Sequence, residues 1–155
     1  MTLDGKPAFP VSPCSATALR KASRRLTQLY DTAIAPAGLR STQLSILVEL
    51  ANRSTDPPTL AELADALVTD RSSLGHNLRP LEREGFILLE ASPTDRRRRH
   101  IVLTSKGKTK CREALRLWQA AQDRFELVFG QPEAAALRAT LLRIAHHERL
   151  TSLQD

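Results

Sequence analysis

Two helix-start signals set close together constrain this chain more than any other feature. Thr59-Leu60-Ala61-Glu62 follows a linker ending in Pro57-Pro58 and spells a capping box, in which hydroxyl and carboxylate satisfy backbone amides reciprocally. That helix is expected to close near Leu67. Asp70 is the natural N-cap of the next one, with Leu74, Leu78 and Leu81 on one face and Gly85 placed to end it. Two short helices joined by a few residues predict a helix-turn-helix.

The flanks extend that unit. Phe86 to Glu90 reads as a strand and Arg98 to Leu103 as its antiparallel partner, with Ser92-Pro93-Thr94-Asp95 making the turn, so a hairpin wing follows the helix pair. Upstream, a helix starting at Ser41 or Thr42 runs through Leu44, Leu47, Val48 and Leu50 to about Asn52. Before it, Leu19, Ala22, Leu26, Leu29 and Ala33 recur at steps of three and four between Cys14 and Ala35, until Pro36 and Gly38 stop the helix. Downstream, Thr104 caps a long helix carrying Cys111, Leu115, Trp118, Phe125 and Phe129, and Gly130-Gln131-Pro132 separates it from a last helix with Leu137, Leu141 and Ile144.

The expected fold is therefore mainly α with a small β-hairpin wing. Residues 1–13, with Pro7, Pro10 and Pro13, read as an N-terminal arm, and 39–104 as a winged helix-turn-helix. Residues 14–38 and 105–155 form a helical region whose apolar stripes lie outside that unit. A second copy of the chain is the economical partner for them, so this region is read as the dimerisation region.

Composition narrows the function classes. At 155 residues and 41% hydrophobic the chain suits one folding unit, and 4% aromatic content leaves the core to small aliphatic side chains. The 23 Lys and Arg against 17 Asp and Glu give a formal charge of +6, which favours a polyanionic partner, nucleic acid ahead of a membrane surface. No apolar run reaches the ~18 residues of a membrane span and the first residues lack a signal-peptide pattern, so a cytoplasmic location is expected. Two distant cysteines, Cys14 and Cys111, form neither a disulfide framework nor a zinc cluster. HExxH, GxSxG, phosphate-loop and dinucleotide signatures are missing, so no enzyme, cofactor or metal is expected.

Between Arg96 and Arg112 stand eight cations and no acid. Arginines at a hairpin tip suit the negative potential of a narrow DNA minor groove; the plainer reading is a solvated charge run. In the helix after Asp70, Arg71, Ser72, Ser73, His76 and Arg79 lie opposite the leucines, a face that fits a major groove. Gly75 would keep that face low, and Pro80 removes a backbone donor and predicts a kink or irregularity.

Leu60-Ala61-Glu62-Leu63-Ala64, Leu81-Glu82-Arg83-Glu84-Gly85-Phe86-Ile87, Asp95-Arg96-Arg97 and Leu103-Thr104-Ser105-Lys106-Gly107 stand in an order and spacing that resemble the MarR family of bacterial transcription regulators. The resemblance implies a homodimer holding two winged domains over consecutive major grooves of an imperfect palindrome in double-stranded DNA, usually as a repressor released by a small ligand or by thiol oxidation. It implies that Asp95 and Arg97 match the wing motif, in which the aspartate orients an arginine that enters the minor groove, with Arg96 and Arg98 beside it as further DNA contacts, that Arg71, Ser72, Ser73 and His76 are the reading positions, and that Thr42 and Thr59 fall where helix starts meet phosphate. His76 replaces the arginine or lysine often found at its position.

The effector is left between alternatives. Cys14 at the start of the first helix is similar in position to the reactive thiol of a peroxide-sensing branch, although that branch surrounds its thiol with tyrosines and Tyr30 is the single tyrosine here. The plainer reading of Cys14 is a small hydrophobe. For a ligand-released repressor the resemblance implies a crevice for small aromatic or phenolic acids where the dimer helices meet the winged domain; by residue chemistry Tyr30 and Trp118 are candidates for a ring wall and the basic stretch Arg20 to Arg25 for a carboxylate partner, the plainer reading of each being core, interface or solvated surface. A winged-helix module that binds protein or RNA is the remaining alternative.

Overall fold

The computed structural model describes residues 14–92, 95 and 97–150. The expected arm at 1–13, Arg96, Pro93 and Thr94 of the wing turn, and the last five residues lie outside this set. Six α-helices and one hairpin follow in the expected order: α1 (Ser15–Ile34), α2 (Ser41–Asn52), α3 (Leu60–Ala66), α4 (Arg71–Arg83), β1 (Ile87–Ala91), β2 (Arg99–Leu103), α5 (Ser105–Phe129) and α6 (Gln131–Ala145). None of the described helices is long and apolar enough to cross a membrane.

The helix ends follow local chemistry. Thr59 and Glu62 form the expected capping box, the Thr59 amide donating to Glu62 Oε2 at 2.7 Å. Asp70 accepts the Ser73 amide at 2.7 Å, and Thr104 accepts the Gly107 amide at 2.9 Å. Gly85 ends α4 in the left-handed region, φ +73°, where glycine has no Cβ to clash. α2 departs from expectation, because its cap is Arg40 rather than Ser41 or Thr42: the Gln43 side chain reaches back and accepts the Arg40 amide at 3.0 Å. α4 continues through Pro80 to Arg83 as one helix, β1 sits one residue later than expected, and β2 starts one residue later and ends at Leu103 as expected.

The turn between α3 and α4 carries an unexpected conformation. Val68 has φ +50°, Thr69 N donates to Ala64 O at 3.0 Å and Val68 N to Asp65 O at 3.2 Å, the bond pair of a Schellman motif with valine in glycine's usual place. A β-branched residue is strained there.

One core joins α2, α3, α4, the hairpin and the first half of α5. Leu47, Leu63 and Ile87 are fully buried, with Leu50, Leu74, Leu81 and Ile101 beside them. The hairpin pairs Ile87 with Leu103 and Leu89 with Ile101. The linker before α3 supplies an edge that periodicity did not reveal: Ile101 N donates to Pro58 O at 2.8 Å, Thr59 bridges His100, and His100 Nδ1 lies 2.6 Å from Pro57 O. The wing is thereby tied to the start of α3. α1 packs along α5, and α6 folds back on α5 with Ala134 buried.

Candidate nucleic-acid interface

Burying Leu74, Leu78 and Leu81 turns the opposite face of α4 outward, so Arg71, Ser72, Ser73, His76 and Arg79 are all exposed. A Cβ on Gly75 would meet nothing within 4 Å, so the outward surface of α4 there is open. Ser73 is less free than expected, because its hydroxyl donates to Asp70 Oδ2 at 2.6 Å. These hydrogen bonds hold the Asp70 carboxyl below its ordinary range, the Ser73 side chain contributing most. A carboxylate therefore occupies the α4 N-terminus and takes up an amide that would otherwise be free for an anion.

The two threonines differ in the same way. The Thr59 hydroxyl donates to Glu62 Oε2 at 2.8 Å and its amide is taken by the same carboxylate, which those bonds lower in pKa. Thr59 is thus committed to its cap. Thr42 is exposed at the start of α2, and its hydroxyl donates to Asn77 Oδ1 of α4 at 3.3 Å.

In the wing, Asp95 Oδ1 accepts the Arg97 amide at 2.9 Å, and the Asp95 carbonyl accepts the Arg98 amide at 3.0 Å. Asp95 organises the turn through backbone donors, which leaves the exposed Arg97 side chain outside this hydrogen bond. Arg98 lies 3.9 Å from Glu62 of α3, an exposed pair too long and solvated to fix its side chain. Two of the eight clustered cations serve the fold instead. Lys106 donates to Glu84 O at 2.6 Å and sits 5.1 Å from the Phe86 ring centroid, and Lys110 pairs with Glu113 at 2.7 Å.

The effector candidates separate. Tyr30 and Trp118 stack at 6.1 Å with 20° between their planes, and both line a cavity of about 400 Å³ with Leu44, Val48 and Leu115. The Tyr30 hydroxyl donates to Gln122 Oε1 at 2.7 Å, Gln122 Nε2 donates to Glu126 Oε1 at 2.6 Å, and Arg138 Nη1 lies 3.2 Å from that same oxygen. This chain, linking α1, α5 and α6, carried no sequence signal. Arg20 and Arg24 line a separate groove rather than this cavity. Cys14 is exposed at the α1 N-cap, its pKa lowered by the Thr17 side chain and then by the Thr17 and Ala16 amides. Tyr30 stands about 24 Å further along the helix at 1.5 Å per residue, so it does not cradle the thiol. Cys111 is buried, and burial raises its pKa. Among the described residues no cluster of three or more His, Cys, Asp or Glu could hold a metal.

The MarR family model matches residues 39–98, which span α2, the helix-turn-helix and β1 and end before β2. A solved structure of the transcriptional regulator MosR from M. tuberculosis in complex with DNA is 32% identical, with 88% of this chain and 98% of that one covered at a TM-score of 0.73. The chain belongs to the MarR family. Other MarR-like neighbours include the transcriptional repressor CouR bound to a 23-mer DNA duplex, 28% identical over 86% of this chain and 93% of that one, TM-score 0.78. CouR bound to p-coumaroyl-CoA is 26% identical over 86% of this chain and 93% of that one, TM-score 0.76. No curated protein sequence matches the chain.

Proposed function

We propose that this MarR-family chain is a homodimeric, sequence-specific DNA-binding transcription regulator, a repressor released by a small aromatic or phenolic ligand. The observation that carries the reading is the pairing of two exposed cationic elements on one scaffold. The outward face of α4, with Arg71, His76 and Arg79, is joined through α3 and the Pro57–Thr59 edge to the hairpin that presents Arg97. A helix of this kind reads base edges in a major groove, and a wing arginine enters the adjoining minor groove. MosR and CouR, both seen with DNA, support it.

Dimerisation is supported by apolar side chains left outward on the helical frame, Leu127, Val128, Leu142 and Ile144 among them. Ligand release is supported by the Tyr30–Trp118 cavity and by the p-coumaroyl-CoA complex of CouR. The test is anisotropy of the purified chain on its own upstream intergenic DNA beside random duplex across a salt series. Arg97→Ala should weaken binding broadly and reduce the salt slope by about one, while Arg71→Ala should cost about 1–3 kcal/mol of discrimination at one base position. Equal weak binding to both duplexes, unchanged in the variants, would leave a basic winged-helix module for protein or RNA.

A second reading, oxidant sensing through Cys14, is favoured by its exposure and lowered pKa, which raise the thiolate fraction near neutral pH. Peroxide should then abolish palindrome binding by the wild type and spare Cys14→Ser. An oxidant-insensitive wild type ends that reading.

A further inference from the structure

The Pro57–Pro58 linker ahead of α3 can bond the wing in one direction only. Neither proline has a backbone N–H, so this stretch offers carbonyls and no donors to the strand beside it, and the rings fix φ and stiffen it. Ile101 N takes the Pro58 carbonyl at 2.8 Å. The Pro57 carbonyl is met by a side chain, His100 Nδ1 at 2.6 Å. A carbonyl oxygen only accepts, so Nδ1 carries a proton and donates it.

His100 stands where the wing leaves the core. Inward of it on β2, Ile101 and Leu103 are buried; outward, Arg99, Arg98 and Arg97 are exposed. A two-stranded hairpin is marginal without outside support, and here that support reaches β2 from the linker. Among the described residues, the half-buried His100 makes the outermost hydrogen bond from β2 to the rest of the fold. Its backbone also bridges Thr59, which Glu62 holds in the cap of α3. The bridge and the Ile101 bond are backbone contacts that any residue at position 100 would keep; the bond to Pro57 belongs to the imidazole.

We infer that His100 is a positioning residue for DNA reading: by holding Pro57 it fixes the angle of the wing against α3, and so the separation between Arg97 and the outward face of α4. The inference rests on the proposed reading of DNA by α4 and wing and deepens it, naming the side chain that couples the two. A wing released from Pro57 keeps its arginines but has to be ordered on binding, so its contacts weaken while base reading by α4 stays as it was.

The test is a set of His100 substitutions in the full chain, read by anisotropy on the upstream intergenic duplex across a salt series. His100→Ala should raise Kd about ten-fold and reduce the salt slope by about one, as Arg97→Ala does, with base discrimination by α4 kept. His100→Asn should bind within about two-fold of wild type, since its amide nitrogen stands as many bonds from the backbone as Nδ1; His100→Gln, whose nitrogen matches Nε2, should not. In the Arg97→Ala background, His100→Ala should add less than about two-fold, because the contact it positions is already gone. His100→Ala binding like wild type, His100→Asn binding no better than His100→Gln, or an undiminished loss in the Arg97→Ala background would each overturn the inference, the last by showing a residue that serves stability alone. Should His100→Ala fail to fold, the comparison of His100→Asn with His100→Gln decides. An Arg97→Ala effect without a His100→Ala effect removes this inference and leaves the regulator reading standing; wild type that binds upstream and random duplex equally removes both.

Discussion

The winged unit and the helical frame are built from similar aliphatic residues yet end in opposite states. In the first, Leu47, Leu63 and Ile87 are all 0% exposed; in the second, Leu127 is 78%, Val128 72% and Leu142 60% exposed. The difference teaches that one region closes its core within a single chain and the other does not. Exposed side chains of this size concentrated on α5 and α6 mark an interaction surface rather than ordinary scatter. The proposed DNA reading and the proposed pairing with a second copy thus fall to parts of the molecule with different packing needs.

The largest expected effect probes that contrast directly. Leu47→Ala should lower unfolding stability by about 2–5 kcal/mol in urea denaturation, since a fully buried leucine leaves a cavity. Leu127→Glu should leave far-UV circular dichroism unchanged while shifting sedimentation toward the monomer. A Leu127→Glu chain that unfolds instead would show that the frame is core and break the comparison.

A smaller effect sits where the regions meet. At the start of α5, a Cβ on Gly107 would lie 2.1 Å from the Phe86 carbonyl oxygen and 2.6 Å from Leu103 Cδ1. Gly107→Ala should therefore cost about 1–3 kcal/mol by thermal or urea unfolding, because backbone must move to admit the methyl group. A neutral result would mean that the frame rides loosely on the wing.

The smallest effect has the opposite sign. Val68 holds φ +50° with its side chain 56% exposed, so Val68→Gly relieves strain and loses little packing. A gain of up to about 1 kcal/mol is expected, partly offset by glycine's greater unfolded-state entropy. A clear loss would show that the valine side chain packs in the helix-turn-helix.

Much of the winged unit was legible because its signals are local. Thr59 with Glu62, Asp70 with Ser73, Thr104 with Gly107 and the turn at Gly85 each act within three residues or at one backbone position. The departures come from chemistry that crosses the chain or competes locally. Gln43 displaced Ser41 and Thr42 from the α2 cap, and the Pro57–Thr59 linker became an edge for β2 only through pairing with residues some forty positions away. At the candidate interface the α4 residues proposed to read bases face outward, but Thr59 and the α4 N-terminus are occupied by carboxylates of their own caps. Tyr30 and Gln122 meet across 92 positions, a separation that no periodicity encodes.

The most direct test of a self-sufficient reading unit carried by a pairing frame is the dependence of affinity on half-site spacing. Two half-sites one helical turn apart, ~34 Å, should bind one dimer tightly, and inserting about five base pairs between them should weaken binding by ten-fold or more, because the second unit then faces away from its groove. Equal affinity for both spacings would contradict a rigid dimer that reads two grooves at once.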